Sequence, residues 1–221
     1  MDNINKIVII GGGLAGCEAA YQISKFDINV DLYEMRPKVK TEAHQTKYLA
    51  ELVCSNSFRS DDKEYNAVGV LHEELRIADS LIMKTADNNK VPAGSALAVD
   101  RDDFAKEVNK TINSISNINI INQEVKNLNE FDDQIIIIST GPLTSRKLAE
   151  SIKIKTSENS LAFYDAIAPI IYKETINMSV AWKQSRYDKG NGDDYINCPL
   201  SKEEYYQFIE KIKRSPKMEF K

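Results

Sequence analysis

The chain has 221 residues, of which 42% are apolar and 28% charged, and a formal net charge of −4 at pH 7. That composition is ordinary for a globular protein with a core, and the acidic balance excludes a molecule that grips a polyanion by bulk charge, so any RNA contact is expected from a local basic patch or from sequence outside these residues. Cys17, Cys54 and Cys198 stand far apart with no CxxC pair, and no stretch nears about 18 apolar residues, so a disulfide framework, a metal site and a membrane span are not expected and a reducing, cytoplasmic setting is.

The first expected element is the strand Lys6-Ile-Val-Ile-Ile10, which runs straight into Gly11-x-Gly13-x-x-Gly16. Gly11 suits a tight turn, Gly13 lets bare backbone approach phosphates, and Gly16 lets the next helix lie close on the strand with its N-terminal N–H groups aimed at an anion. A helix over residues 17–26 puts Ala20 and Ile23 on the face of Gly16, and a second strand, Val30-Asp-Leu-Tyr-Glu34, follows. Glu34 closes it about 20 residues beyond the glycines, where a carboxylate accepts a ribose 2′-hydroxyl and repels a 2′-phosphate, favouring FAD or NAD over NADP.

Residues 36–65 read as a polar, loop-like insertion. Val68, Leu71, Leu75, Ala78 and Ile82 then recur at helical spacing and are expected to face the core. Val91–Val99 reads as a turn and short strand. Asp100 is placed to cap a helix that turns Phe104, Val108, Ile112 and Ile115 inward, with Asp102 and Asp103 favouring its N-terminal dipole. Strands are expected at Ile118–Ile121 and Ile135–Ile138, the latter so uniformly apolar that it suits a parallel strand buried on both faces. It ends in Ser139-Thr-Gly-Pro142, a second glycine turn at the carboxyl edge of the sheet, where doubly wound folds place a ligand. From Ser160 strand-like pieces appear at 161–164, 168–172 and 178–182, then a turn at 188–192 and a polar helix near 201–213. The organisation expected is an α/β, Rossmann-like dinucleotide-binding domain over 1–150 and the opening of a second, sheet-rich α+β domain over 151–221, too short to be complete.

The block Ala50-Glu-Leu-Val-Cys-Ser-Asn-Ser-Phe-Arg59 sets a cysteine among small polar residues with no clean period. A loop thiol activated by a cation such as Arg59, or by helix N–H groups, is a good nucleophile, and the alternative is a buried free cysteine. Cys17 reads as structural, and Cys198 could be either. His44 and His72 lack the spacing of a metal site or a triad and read as surface or packing residues.

Seven blocks together, Gly11-Gly-Gly-Leu-Ala-Gly16, Tyr33-Glu-Met-Arg-Pro37, Ala50-Glu-Leu-Val-Cys-Ser-Asn-Ser57, Asn66-Ala-Val-Gly-Val-Leu71, Pro92-Ala-Gly94 with Ala96-Leu-Ala-Val-Asp-Arg101, Thr140-Gly-Pro-Leu-Thr144 and Ser185-Arg-Tyr-Asp-Lys-Gly190, closely resemble the folate- and FAD-dependent tRNA (uracil-5-)-methyltransferases. The resemblance covers essentially the whole chain in order, and the cysteine block is far more specific than a dinucleotide fingerprint. It implies a glutathione-reductase-type FAD-binding domain and methylation of uridine C5 in the tRNA T-loop. The carbon comes from 5,10-methylenetetrahydrofolate and the electrons from flavin resupplied by NAD(P)H. Carried over residue by residue, it marks Gly11, Gly12, Gly13, Leu14, Ala15, Gly16, Glu34, Arg36, Thr140 and Gly141 as FAD contacts and Cys54 as the catalytic cysteine, whether that thiol attacks uracil or guards the one-carbon unit. Members of that family run to about twice this length, so the folate-stacking residues, a second cysteine and most of the tRNA-binding surface are expected beyond position 221, and little activity is expected of these residues alone. A same-family enzyme acting on rRNA and a non-catalytic FAD-binding remnant stay open as alternatives.

Overall fold

The computed structural model describes residues 4–41, 43–157, 171–186, 190 and 192–217. The chain divides into two compact units, residues 1–91 with 95–169, and residues 92–94 with 170–221.

The first unit is α/β. Strands β1 (Lys6–Ile10), β2 (Asn29–Glu34), β6 (Ile118–Asn122) and β7 (Ile135–Ile138) form a parallel sheet in the order β6-β2-β1-β7. Leaving β1, the chain builds to one side through β2 and β6, then returns to add β7 on the other. The order therefore reverses beside β1, and such a reversal opens a crevice at the carboxyl ends of the strands. Alternation along β1 feeds two apolar layers. Ile9 joins Cys17, Ala20, Leu32, Leu81, Met83, Phe104, Val108 and Ile112 on one face, while Val8 and Ile10 join Val125, Leu128, Phe131 and Leu148 on the other. The first layer is supplied by helices α1 (Leu14–Ser24), α3 (Leu81–Asn88) and α4 (Arg101–Ser114), and the second by α5 (Arg146–Thr156) and the short 3-10 turn Leu128–Phe131. Asp100 caps α4 as expected, accepting from the N–H groups of Asp102 and Asp103 at 3.0 Å each.

For the strands and helices of this unit, three expectations need correction. β7 is parallel but not buried on both faces: it ends the sheet, with Ile135 and Ile138 at 46% and 41% exposure. The stripe from Val68 to Ile82 is two helices, α2 (Ala67–Ile77) and α3, broken at Ala78–Ser80, where Asp79 has φ +54. The Ser80 hydroxyl caps α3 by accepting from Met83 N–H, and Glu18 of α1 accepts from the Ser80 hydroxyl and from Ile82 N–H, placing a carboxylate at the positive end of α3. Leu71 and Ala78 are exposed, and the buried residues of α2 are Gly69 and His72, whose Nδ1 lies 3.0 Å from Asp61. The span 36–65, finally, is not all loop. β3 (Ser57–Ser60) pairs antiparallel with β5 (Ala96–Val99), which also pairs with β4 (Lys90–Val91), and the register slip in β3 coincides with Arg59 at φ +73.

In the second unit, β8 (Trp182–Lys183) pairs antiparallel with β9 (Ile196–Asn197), and α6 (Lys202–Arg214) starts at a capping box made by Ser201 and Glu204. Asp194 Oδ2 accepts from Gly94 N–H at 2.7 Å, tying residues 92–94 to this unit. The expected strand at 178–182 begins only at Trp182, after a turn. Of the other expected features, the strand at 161–164 and three of the five residues in each of 168–172 and 188–192 fall outside the described residues. The expected division at 150/151 falls inside α5, which packs in the first unit.

Candidate dinucleotide site

Within the first unit a cleft opens at the carboxyl ends of β1, β2 and β7, lined by Ile10–Gly13, Tyr33–Arg36, Ser139, Thr140 and Leu143–Ser145, with His44, Gln123–Val125 and Leu148 completing it. Its floor is the glycine loop. Gly11 has φ +107, and a Cβ there would lie 2.8 Å from the Ser139 backbone. A Cβ on Gly16 would meet the Gly11 carbonyl oxygen at 1.8 Å, which is how closely α1 lies against the loop. Gly13 differs: a Cβ built there has nothing within 4 Å. It is the N-cap of α1, yet it offers no side-chain cap, so the first N–H groups of the helix receive no acceptor from that position. Open backbone at an uncapped helix start is what a pyrophosphate requires, and the loop fits that group on this ground.

The loop does not present every N–H to such a group. Gly11 N–H donates to the Tyr33 carbonyl at 2.8 Å, and Gly12 N–H donates to Glu34 Oε2 at 3.0 Å. Glu34 Oε1 accepts from Arg36 N–H at 3.0 Å and from Arg36 Nε at 2.9 Å. Three of the roughly four acceptor positions of a carboxylate are thus filled by protein, which leaves one on Oε2 for a ribose hydroxyl. Burial alone would raise the Glu34 carboxyl, but the Arg36 guanidinium bonded beside it, aided by the two backbone N–H groups, holds it below the usual carboxylate value, so it is an acceptor at neutral pH.

Arg36 is buried at 2% exposure, and its Nη1 donates to Glu51 Oε2 at 3.0 Å. Burial would likewise raise Glu51, yet the N–H of Gln45, the hydroxyl and N–H of Thr46 and the Arg36 charge bring it below its usual value. His44 lines the same cleft, and burial followed by the Arg36 charge pushes its imidazole down, so it is neutral at pH 7.

Of the residues marked from the sequence, Gly11, Gly12, Gly13, Glu34, Arg36 and Thr140 line this cleft. Leu14, Ala15 and Gly16 form the first turn of α1 behind it, and Gly141, at φ +60, opens the 3-10 turn Gly141–Leu143 after Thr140. Cys54 is exposed on the loop before β3 and is not among the lining residues. Cys17 is sealed under the loop, its Sγ 3.4 Å from the Gly12 carbonyl oxygen, and burial pushes its thiol up to about 12. His44, read from the sequence as a surface or packing residue, lines the cleft, Ser139 was legible only as part of a glycine turn, and Glu51 was not singled out. Ser139 Oγ donates to the carbonyl oxygens of Ile10 and Gly11 at 3.0 and 2.9 Å, a tie that a glycine turn in the sequence hints at but does not specify. Among the described residues no group of three His, Cys, Asp or Glu is placed to hold a metal ion, and no helix is long and apolar enough to cross a membrane.

Residues 6–221 match the family model described as glucose inhibited division protein A. The chain is 58% identical over 219 residues, 97% of its length, to the methylenetetrahydrofolate--tRNA-(uracil-5-)-methyltransferase TrmFO of Bartonella henselae, and covers 47% of that protein. Proteins of the same name match from Paramagnetospirillum magneticum, 56% identical over 212 residues (96% of this chain and 47% of the relative), and from Rhizobium meliloti, 53% over 221 residues (98% and 47%). The chain therefore spans about half the length of the curated relatives it matches.

Proposed function

Since the chain belongs to the glucose inhibited division protein A family, we propose that its first unit holds FAD in the glycine-loop cleft and serves a cytoplasmic, methylenetetrahydrofolate-dependent tRNA (uracil-5-)-methyltransferase. The observation that carries the FAD reading is the pairing of an open, uncapped Gly13 with the nearly saturated carboxylate of Glu34 at one strand edge. The reaction and its substrates, folate, tRNA and an NAD(P)H reductant, rest on the names of relatives 53–58% identical and on the sequence blocks shared with that enzyme class.

In this reading the N–H groups at and after Gly13 receive the pyrophosphate, Glu34 Oε2 accepts from the adenosine ribose, and Thr140 and Ser139 close the other wall. Arg36 keeps Glu34 ionised, so that a 2′-phosphate is repelled. Bound flavin supplies the hydride chemistry that reduces a methylene to a methyl. Leu14, Ala15 and Gly16 act by setting α1 against the loop, and Gly141 by turning the chain after Thr140. Cys54, on the loop before β3 and outside the cleft lining, is assigned as the thiol of the reaction. Addition of its thiolate to uracil C6 forms a C–S bond and moves electron density onto C5, and loss of the C5 proton after alkylation lets that bond break again.

The cofactor half of the proposal is tested by purifying the protein and adding FAD. A flavin spectrum that survives gel filtration is expected, and exclusive binding of NADH would overturn it. The substrate half is tested by disrupting the gene: 5-methyluridine should vanish from tRNA and persist in rRNA, and the reverse pattern would assign the enzyme to rRNA.

A further inference from the structure

A run of buried polar contacts leads from the cleft to the loop that carries Cys54. Glu34, Arg36 and Glu51 are joined at 2.9 and 3.0 Å, and their side chains are exposed by only 8%, 2% and 5%. Glu51 also accepts from Gln45 N–H at 2.7 Å, Thr46 N–H at 3.1 Å and the Thr46 hydroxyl at 2.9 Å. One residue earlier, Ala50 N–H donates to the Gly12 carbonyl oxygen at 2.9 Å, and Ala50 is fully buried at φ +52, a conformation an alanine keeps only where its surroundings impose it. The chain three residues before Cys54 is thus pinned to the glycine loop by its backbone and to the Glu34 carboxylate through one guanidinium. Apolar side chains would fill this volume without desolvating three charges, so the network has to be explained by what it positions.

We propose that Arg36 and Glu51 are positioning residues that hold the Cys54 loop in register with the glycine loop, coupling occupancy of the dinucleotide cleft to the placement of the Cys54 thiol. The inference rests on the FAD reading of the cleft. The guanidinium is a rigid planar fork whose Nε serves Glu34 and whose Nη1 serves Glu51. A ribose hydroxyl that orders the Glu34 carboxylate therefore orders Arg36, and Arg36 orders the segment ending at Cys54. Coupling of this kind is reciprocal and is read as a ligand-dependent change at the distant group.

The test follows the rate at which a disulfide reagent modifies Cys54, with and without FAD, in a Cys198→Ser background in which Cys17 is sealed. FAD should slow modification of the otherwise unaltered protein by about tenfold. In Glu51→Gln, FAD should still bind, because Glu34 keeps its contacts with Gly12 and Arg36, but Cys54 should react faster and at a rate indifferent to FAD. Thr46→Val removes one of the Glu51 donors while sparing the ion pair and should give an intermediate response, and it decides the matter if Glu51→Gln does not fold. Protection by FAD that is the same in these variants as in the parent would overturn the coupling. Absence of FAD binding in the parent would overturn the cofactor reading and this inference with it, whereas FAD binding without protection of Cys54 would overturn only the inference.

Discussion

One methyl group placed at two glycines three residues apart should separate binding from folding. Gly13 has φ −78 and ψ −167, backbone that alanine adopts freely, and its Cβ would meet nothing within 4 Å. Gly13→Ala should therefore leave stability within about 0.5 kcal/mol, or raise it slightly by restricting the unfolded chain. The methyl would occupy the space through which phosphate reaches the start of α1. Loss of one charge-assisted hydrogen bond there costs about 1.5–3 kcal/mol, a weakening of FAD binding of roughly 10- to 150-fold. Gly16→Ala puts its methyl 1.8 Å from a carbonyl oxygen that Ser139 Oγ holds at 2.9 Å, so neither atom can yield. Overpacking against fixed backbone places the penalty at the upper end of the usual range, about 3 kcal/mol or more. The assay is FAD titration by flavin fluorescence alongside ligand-free thermal melting. Gly13→Ala binding FAD as tightly as the parent would refute the placement of the phosphates, and Gly16→Ala melting at the parent temperature would refute the close approach of α1.

Arg36→Met should leave two buried carboxylates facing each other, costing about 3–5 kcal/mol and lowering the melting temperature by roughly 6–20 °C. Unchanged melting would show that the pair contributes no net stability. Glu34, Glu51 and Asp61 all sit below their usual carboxyl values, the last held there by His72 and Arg76 against the opposing effect of burial. The unfolded chain binds protons first as pH falls, so their contribution is complete above about pH 4.3 and is lost as pH drops through the lower folded values. Urea midpoints should fall steeply below that pH, and a midpoint flat down to pH 3 would contradict the assignment. With its thiol raised to about 12 and sealed, Cys17 should resist modification at pH 8 until urea is added, while Cys54 and Cys198 react. Labelling of Cys17 in the native protein would mean that the glycine loop opens.

Much of the fold was legible in local spacing. The strand and glycines at 6–16, the cap at Asp100 and the turn after Ile138 depend on contacts within a few residues and stand where those contacts predict, and the helix expected at 17–26 forms at Leu14–Ser24, starting directly on the glycine loop. Burial was less legible. The stripe through Leu71 satisfies helical periodicity, but α2 turns Gly69 and His72 inward and leaves Leu71 at 51% exposure, and Asp79 and Ser80 then break the helix where Glu18, more than 60 residues away, captures the new start. The uniform apolarity of Ile135–Ile138 says that the strand is adjacent to a core, not that it has neighbours on both edges.

The candidate site divides the same way. The residue types and their order determined a glycine loop between a strand and a helix, an acid closing the next strand and a thiol in a polar loop, because each is a property of a short segment. Only the tertiary structure decided that Glu34 spends most of its acceptors on Gly12 and Arg36, that Arg36 is buried between two carboxylates, and that Glu51 fastens the segment before Cys54. A buried charge must find its partner in whatever segment folding brings within about 3 Å, and that choice is made by packing between residues far apart in the chain.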